Sequence, residues 1–144
     1  MQYVCDAAPN LTWFSLETEG EAALESAEMN HAVDKHFRQA FEAAARSWQP
    51  PTSARYIEQD IGKKDHIARN MPRFLTLRDE DGVAQVTAML PSPSRAEPHF
   101  RSVVVGRDNR DPYFSYGEAI ATLAKHFSVS LDQARCYPYK GRSV

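Results

Sequence analysis

The chain has 144 residues, 42% of them apolar, enough for one domain (1–144) with a full hydrophobic core. Seventeen Lys/Arg face nineteen Asp/Glu, a formal net charge of −2 with a pI near 6.2, and such near balance argues against nucleic acid as the partner. No apolar run reaches the ~18 residues of a membrane span. The opening MQYVCDAAPN lacks the basic and apolar regions of a signal peptide. The expectation is therefore a cytoplasmic protein with no membrane partner.

In chain order, residues 2–6 and 11–17 carry Tyr3, Val4, Trp13, Phe14 and Leu16, and read as two short strands around an Ala7-Ala8-Pro9-Asn10 turn. A proline-free stretch from Thr18 to Trp48 follows and predicts a helix. Thr18 with Glu21 has capping-box spacing, in which each side chain satisfies a backbone donor at the helix start. Glu19, Glu21, Glu25 and Glu28 come early and Lys35, Arg38 and Arg46 late, a polarity that suits the helix dipole. Pro50 and Pro51 stop it.

Met29, Val33, Phe37, Ala40, Phe41, Ala44 and Trp48 recur at steps of three and four, one apolar stripe. Leu24 is about half a turn out of phase with it at ~100° per residue. An unbroken helix would be ~45 Å long, against a radius of gyration of ~15 Å for a chain of this size. Two outcomes follow: a break near Asn30 that folds the first turns back onto the sheet, or a second copy covering the Leu24 side in a homodimer. Asp34, Arg38, Glu42 and Arg46 alternate in sign at i, i+4 spacing, the pattern of a solvated face.

Residues 49–72 are the hardest to read. Tyr56 to Ile61 suggests a short strand or extended segment, and Asp65 to Met71 a helical turn halted by Pro72. The runs 73–78 and 83–90 flank Asp81-Gly82, a hairpin signal. The proline-rich 91–98 reads as an exposed loop. Phe100 to Val105 makes a further strand closed by Gly106, with a polar turn over 107–112. Ser115 with Glu118 has the spacing of a second capping box, opening a helix to Phe127 that buries Tyr116, Ala119, Ile120, Leu123, Ala124 and Phe127. Ser130 with Gln133 caps one further short turn. The fold class is α+β: a mainly antiparallel sheet with a long N-terminal helix and a C-terminal helix packed on one face.

The chemistry-bearing residues are scattered. His31 and His36, five apart, lie ~140° from each other on a regular helix and cannot share a ligand there. No His-Glu-x-x-His or Cys-x-x-Cys supports a metal site, and no cofactor motif is present. Cys5 and Cys136 lack any nucleophile signature and read as buried or half-buried thiols. Asp79-Glu80-Asp81-Gly82 and Asp108-Asn109-Arg110-Asp111 resemble fragments of calcium loops but lack the rest of the ligand set, so they read as turns. Gly62-Lys63-Lys64 lacks the earlier glycine and the following Ser/Thr of a P-loop.

Two basic clusters remain. Arg55, Lys63, Lys64, Arg69, Arg73 and His66 span the centre; Arg135, Tyr137, Tyr139, Lys140 and Arg142 close the chain. Residues 1–49 carry three Lys/Arg against eight Asp/Glu, the remainder fourteen against eleven, which allows an acidic surface to meet a basic one. The functional reading is a small cytoplasmic binding or regulatory module, self-associating as a homodimer, with an anionic small molecule or a protein as partner. The first alternative is a small enzyme or anion-binding domain whose cleft uses Lys63, Lys64, His66, Arg69, His99 and Arg101. The second is nucleic-acid binding through the C-terminal basic-aromatic segment.

Overall fold

A computed structural model of the chain describes residues 1–49, 56–94 and 100–136, with the backbone alone for 56–60. Five strands, β1 (Gln2–Ala7), β2 (Leu11–Ser15), β3 (Arg73–Arg78), β4 (Ala84–Leu90) and β5 (Val103–Gly106), form one antiparallel sheet in chain order. Between β2 and β3 lie helices α1 (Glu19–Met29), α2 (Val33–Arg46) and α3 (Tyr56–Asn70). After β5 come a 3-10 turn at Arg107–Asn109, α4 (Tyr113–Phe127) and a short α5 (Gln133–Cys136). The chain is thus α+β, as its sequence implies.

The β3–β4 hairpin forms where Asp-Gly stands. Gly82 takes φ +77°, and the Asp79 carboxylate accepts from the Asp81 and Val83 amides at 3.0 and 2.9 Å. Register then sorts side chains by face, because successive residues of a strand alternate. One row runs Trp13, Leu77, Val86 across β2, β3 and β4; the adjacent row runs Phe14, Thr76, Thr87, Val105. Phe74, Leu75, Thr76 and Leu77 are all buried, so the centre of the sheet is covered on both sides.

This corrects the expectation that the helices share one face. Ala119, Ile120 and Leu123 of α4 pack with Trp13, Leu75, Leu77, Val86 and Leu90 on one side. Ala22, Val33, Phe37, Ala44 and Ile67 of α1–α3 pack with Leu16 and Phe74 on the other. Burial of each such large side chain stabilises by about 1.5–3 kcal/mol. Two contacts tie the layers: the Trp13 indole donates to the Ala119 carbonyl of α4 at 2.9 Å, and Phe37 meets Phe74 with centroids 5.0 Å apart.

The long N-terminal helix is broken, at the residue suspected. The Thr18–Glu21 capping box is formed, and α1 ends at Asn30 in the left-handed conformation (φ 55°), one that Asn tolerates. Ser26 clasps the elbow: its Oγ donates to Asp34 Oδ1 and accepts from the Asp34 amide, both at 2.9 Å. Leu24 stays 73% exposed even so, because Ala22, Glu25, Ser26 and Met29 are the face α1 buries.

Three further expectations are corrected. Tyr56–Ile61 is the start of α3, not a strand. Its Gly62 admits the Trp48 ring so closely that an added Cβ would lie 2.8 Å from Cη2. The last strand is only Val103–Gly106. The second capping box does not form: α4 starts at Tyr113, and Asp111 Oδ1 accepts from that residue's amide at 2.9 Å. Loop residues 95–98, Arg55, and Tyr137, Tyr139, Lys140 and Arg142 of the C-terminal cluster lie outside the described residues.

Candidate functional site: a pocket at the helix elbow

The buried stripe of α1 contains a charged residue, Glu25, with no exposed surface at all. Its carboxylate is fully engaged. Arg78 Nη2 on β3 reaches Oε1 at 2.7 Å, and the Thr87 hydroxyl on β4 donates to Oε2 at 2.5 Å. Burying a carboxylate otherwise costs several kcal/mol, which these charge-assisted bonds offset. Glu28, one turn on, accepts from the Ala84 amide at 2.7 Å through Oε2 and holds Oε1 3.9 Å from Arg78 Nη1.

The chain of bonds continues to the elbow. The Thr87 hydroxyl uses its hydrogen in the bond to Glu25, so its oxygen accepts from His31 Nε2 at 2.8 Å. The other ring nitrogen, Nδ1, accepts from the Val33 amide at 3.4 Å, at the first residue of α2. One tautomer satisfies both contacts: neutral, with the proton on Nε2. Burial pushes the His31 pKa below its ordinary value; nearby Glu25 and Asp34 pull the other way and His36 adds to the fall.

His31 forms one wall of a pocket of about 340 Å³. Its floor is the outer part of the sheet on the α1–α3 side, Thr87 and Met89 of β4 with Val103 and Val105 of β5. Ala32, Val33 and His36 supply the helical wall, and Arg101 and Asn109 also line the pocket. In the floor Thr87 and Val105 are buried and Met89 and Val103 half-buried, whereas His36, Arg101 and Asn109 are exposed. A concave apolar floor with a few polar groups at its rim is the usual form of a small-molecule site.

A larger cavity of about 680 Å³ opens where α2 and α3 meet the sheet end, among Tyr3, Phe41, Met71, Phe74 and Phe127. Lys64 and His126 reach it, while Arg73 stacks on the Phe127 ring at 4.5 Å. No buried polar chain like that behind His31 runs into it among the described residues. The elbow pocket is therefore the better-organised site.

The described residues among the six expected from sequence fall at different places. Lys64 lines the larger cavity and Arg101 the elbow pocket, where Arg101 Nε also donates to the Arg135 carbonyl at 3.2 Å. Lys63 is exposed on α3, and Arg69 pairs with Asp65 at 3.0 Å. His66 bonds the Ser47 hydroxyl at 2.7 Å, lies 5.5 Å from the Trp48 ring and meets the Asn70 amide at 3.3 Å. His99 lies outside the described residues.

On one regular helix His31 and His36 diverge, which hides His31 from a reading of the sequence alone. The break at Asn30 puts His31 outside any helix, and both imidazoles line one pocket. A signal for the buried chain was present: Ala22, Glu25, Ser26 and Met29 are spaced at three and four, so Glu25 occupies an apolar position.

Other reactive groups are quiet. Cys5 is half-buried and Cys136 buried, both free thiols, and burial raises the pKa of each. Among the described residues no three His, Cys, Asp or Glu gather as a metal site would need, and no helix is long and apolar enough to cross a membrane. The chain matches no protein-family model, no curated protein and no solved structure.

Proposed function

We propose that this chain is a non-enzymatic binding module whose small-molecule ligand occupies the elbow pocket. The observation that carries this is the Arg78–Glu25–Thr87–His31 chain, which fixes a pocket wall from behind before any ligand arrives. Preorganisation of that kind lowers the ordering cost of binding. Binding rather than catalysis is favoured by the state of the same residues. Both nitrogens of His31 are engaged, and the Thr87 hydroxyl is spent on Glu25, so neither stands ready as base or nucleophile.

An amide NMR titration with a library of small fragments tests this reading. Shifts should cluster at His36, Met89, Val103 and Val105. Fragments that shift only Phe41, Met71 and Phe127, around the larger cavity, would overturn it.

Self-association is a separate proposal. Helix length gives it no support, since α1 and α2 are two helices of 11 and 14 residues. Leu24, 73% exposed on α1, still motivates it. The two-fold partner is a second copy, the same α1 patch facing itself. Sedimentation equilibrium at tens of micromolar should give twice 16.3 kDa, falling to the monomer in Leu24→Glu; a constant monomer mass would end the idea.

A further inference from the structure

We propose that acid regulates the elbow pocket: a proton taken up by His31 weakens the pocket's hold on its ligand. This rests on the pocket reading above and adds the regulation of that site. The first argument is how α2 begins. Its N-cap residue is Ala32, whose side chain can accept nothing from the helix's opening amides. Neighbouring side chains accept instead. His31 Nδ1 takes the Val33 amide at 3.4 Å, Ser26 Oγ the Asp34 amide at 2.9 Å and Asp34 Oδ1 the Lys35 amide at 2.8 Å. The imidazole nitrogen differs from the two oxygens: once protonated it becomes a donor, and it then meets the Val33 N–H hydrogen to hydrogen.

The second argument is that the ring has no other place for the proton. Thr87 uses its hydrogen on Glu25, so His31 Nε2 keeps a hydrogen to bond the Thr87 oxygen. An incoming proton therefore goes to Nδ1. There it also stands at the N-terminal end of α2, where the helix dipole disfavours a cation.

The third argument is that the same residues are the pocket. Ala32, Val33 and His36, the cap and first turn of α2, form its helical wall beside His31. Val33 belongs to one core cluster with Leu16, Ala22 and Phe37. It does not yield alone, so the opening turn moves with it when its amide leaves Nδ1. A ligand fitted to the neutral form binds the protonated form less well, and by reciprocity it lowers the proton affinity of His31 by the same factor.

The surrounding charges set where the switch lies. Burial of the ring opposes the proton most, Glu25 on α1 and Asp34 on α2 favour it, and His36 opposes it. Arg101 lines the same pocket. On the adjoining turn Arg107 is held by the Glu28 carbonyl and Asp108 by the Asn30 side chain. Burial wins, which puts the switch on the acid side of neutrality.

The test follows benzyl alcohol, a probe that does not titrate, by the Val103 and Val105 amides of the intact protein. Its affinity is measured from about pH 7.5 to about pH 4.5, with the His31 ring resonance read in the same samples. Affinity should fall as His31 titrates, by up to about tenfold per pH unit, the limit for one linked proton. Saturating probe should move the His31 titration to lower pH. The dependence should vanish in His31→Gln and persist in His36→Gln, the other histidine of the pocket. Should His31→Gln not fold, the wild-type comparison of affinity with the His31 resonance decides by itself. Affinity that stays constant while His31 titrates, or a His31 resonance that does not titrate before the protein unfolds, overturns the regulation and leaves the pocket standing. A dependence that survives in His31→Gln or is lost in His36→Gln does the same. Absence of shifts at Val103 and Val105 at the highest pH overturns the pocket and its regulation together.

Discussion

Glu25 and Arg78, 53 positions apart, meet at 2.7 Å with the Glu25 carboxylate wholly out of solvent. The pair joins α1 to the central strands, and Thr87 extends it to His31 at the elbow. A buried pair of this kind is weak evidence for stability, because taking both charges out of water costs nearly what their attraction returns. Its value here is positional: it sets α1 on the sheet and thereby fixes where the helix breaks relative to β4.

Breaking the pair and replacing it should therefore differ. Arg78→Met strands the Glu25 carboxylate and should cost about 3–5 kcal/mol, toward the lower figure since Arg78 keeps 13% of its side-chain surface. Adding Glu25→Met should recover most of that. Urea denaturation midpoints measure both. A single Arg78→Met variant within ~1 kcal/mol of wild type would show that the carboxylate finds water on its own.

Thr76 and Thr87 face each other in register, both buried, with opposite circumstances. Thr87 links Glu25 to His31, whereas the Thr76 hydroxyl has no hydrogen-bond partner among the described residues. Thr87→Val should cost ~1–3 kcal/mol by leaving two polar groups unmatched. Thr76→Val deletes an unmatched hydroxyl at constant shape and should be neutral or stabilising by up to ~1 kcal/mol. Equal effects at the two sites, read from thermal or urea melts, would refute the bonding scheme.

What was legible in the sequence was local. The Asp81-Gly82 turn, the Thr18–Glu21 cap and the stripe Ala119, Ile120, Leu123 each depend on neighbours within a few residues, and each formed. The two-sided cover of the sheet was also written in Phe74-Leu75-Thr76-Leu77, a run without polar alternation, but a turn-based reading does not weigh it. The strand expected at Tyr56–Ile61 failed for a tertiary reason: a glycine in mid-helix looks like a breaker until the Trp48 ring occupies the space it leaves. The pocket needs the αL turn at Asn30, one residue whose conformation decides whether His31 and His36 diverge or converge.

Gly62 gives that tertiary reason a test. In a helix interior Gly→Ala ordinarily gains up to ~1 kcal/mol. Here the new methyl would sit 2.8 Å from Trp48 Cη2, and displacing a packed ring costs ~1–3 kcal/mol. Gly62→Ala should be neutral to destabilising in the native background and stabilising once Trp48→Ala has removed the ring. A double-mutant cycle reads the coupling directly. Identical effects in the two backgrounds would mean that the ring and the glycine do not touch.

The elbow should also respond to acid. His31 is held neutral by burial, its pKa below the ordinary value of 6.5, in spite of the opposing pull of Glu25 and Asp34. The unfolded chain therefore takes up the proton more readily than the folded one. The stability this residue contributes is complete above about pH 6.5 and is lost as pH falls from there toward the lower folded value. Protonation also places a hydrogen on Nδ1, directly against the Val33 amide that now donates to it, so the first turn of α2 loses a contact. Acid acts on many groups of the chain in any variant, and the useful quantity is a difference. Between pH 7 and 5 wild type should lose more stability than His31→Gln, whose amide can donate to Thr87 but does not titrate. Parallel losses in the two proteins across that interval would show that His31 is not the group that acid reaches first.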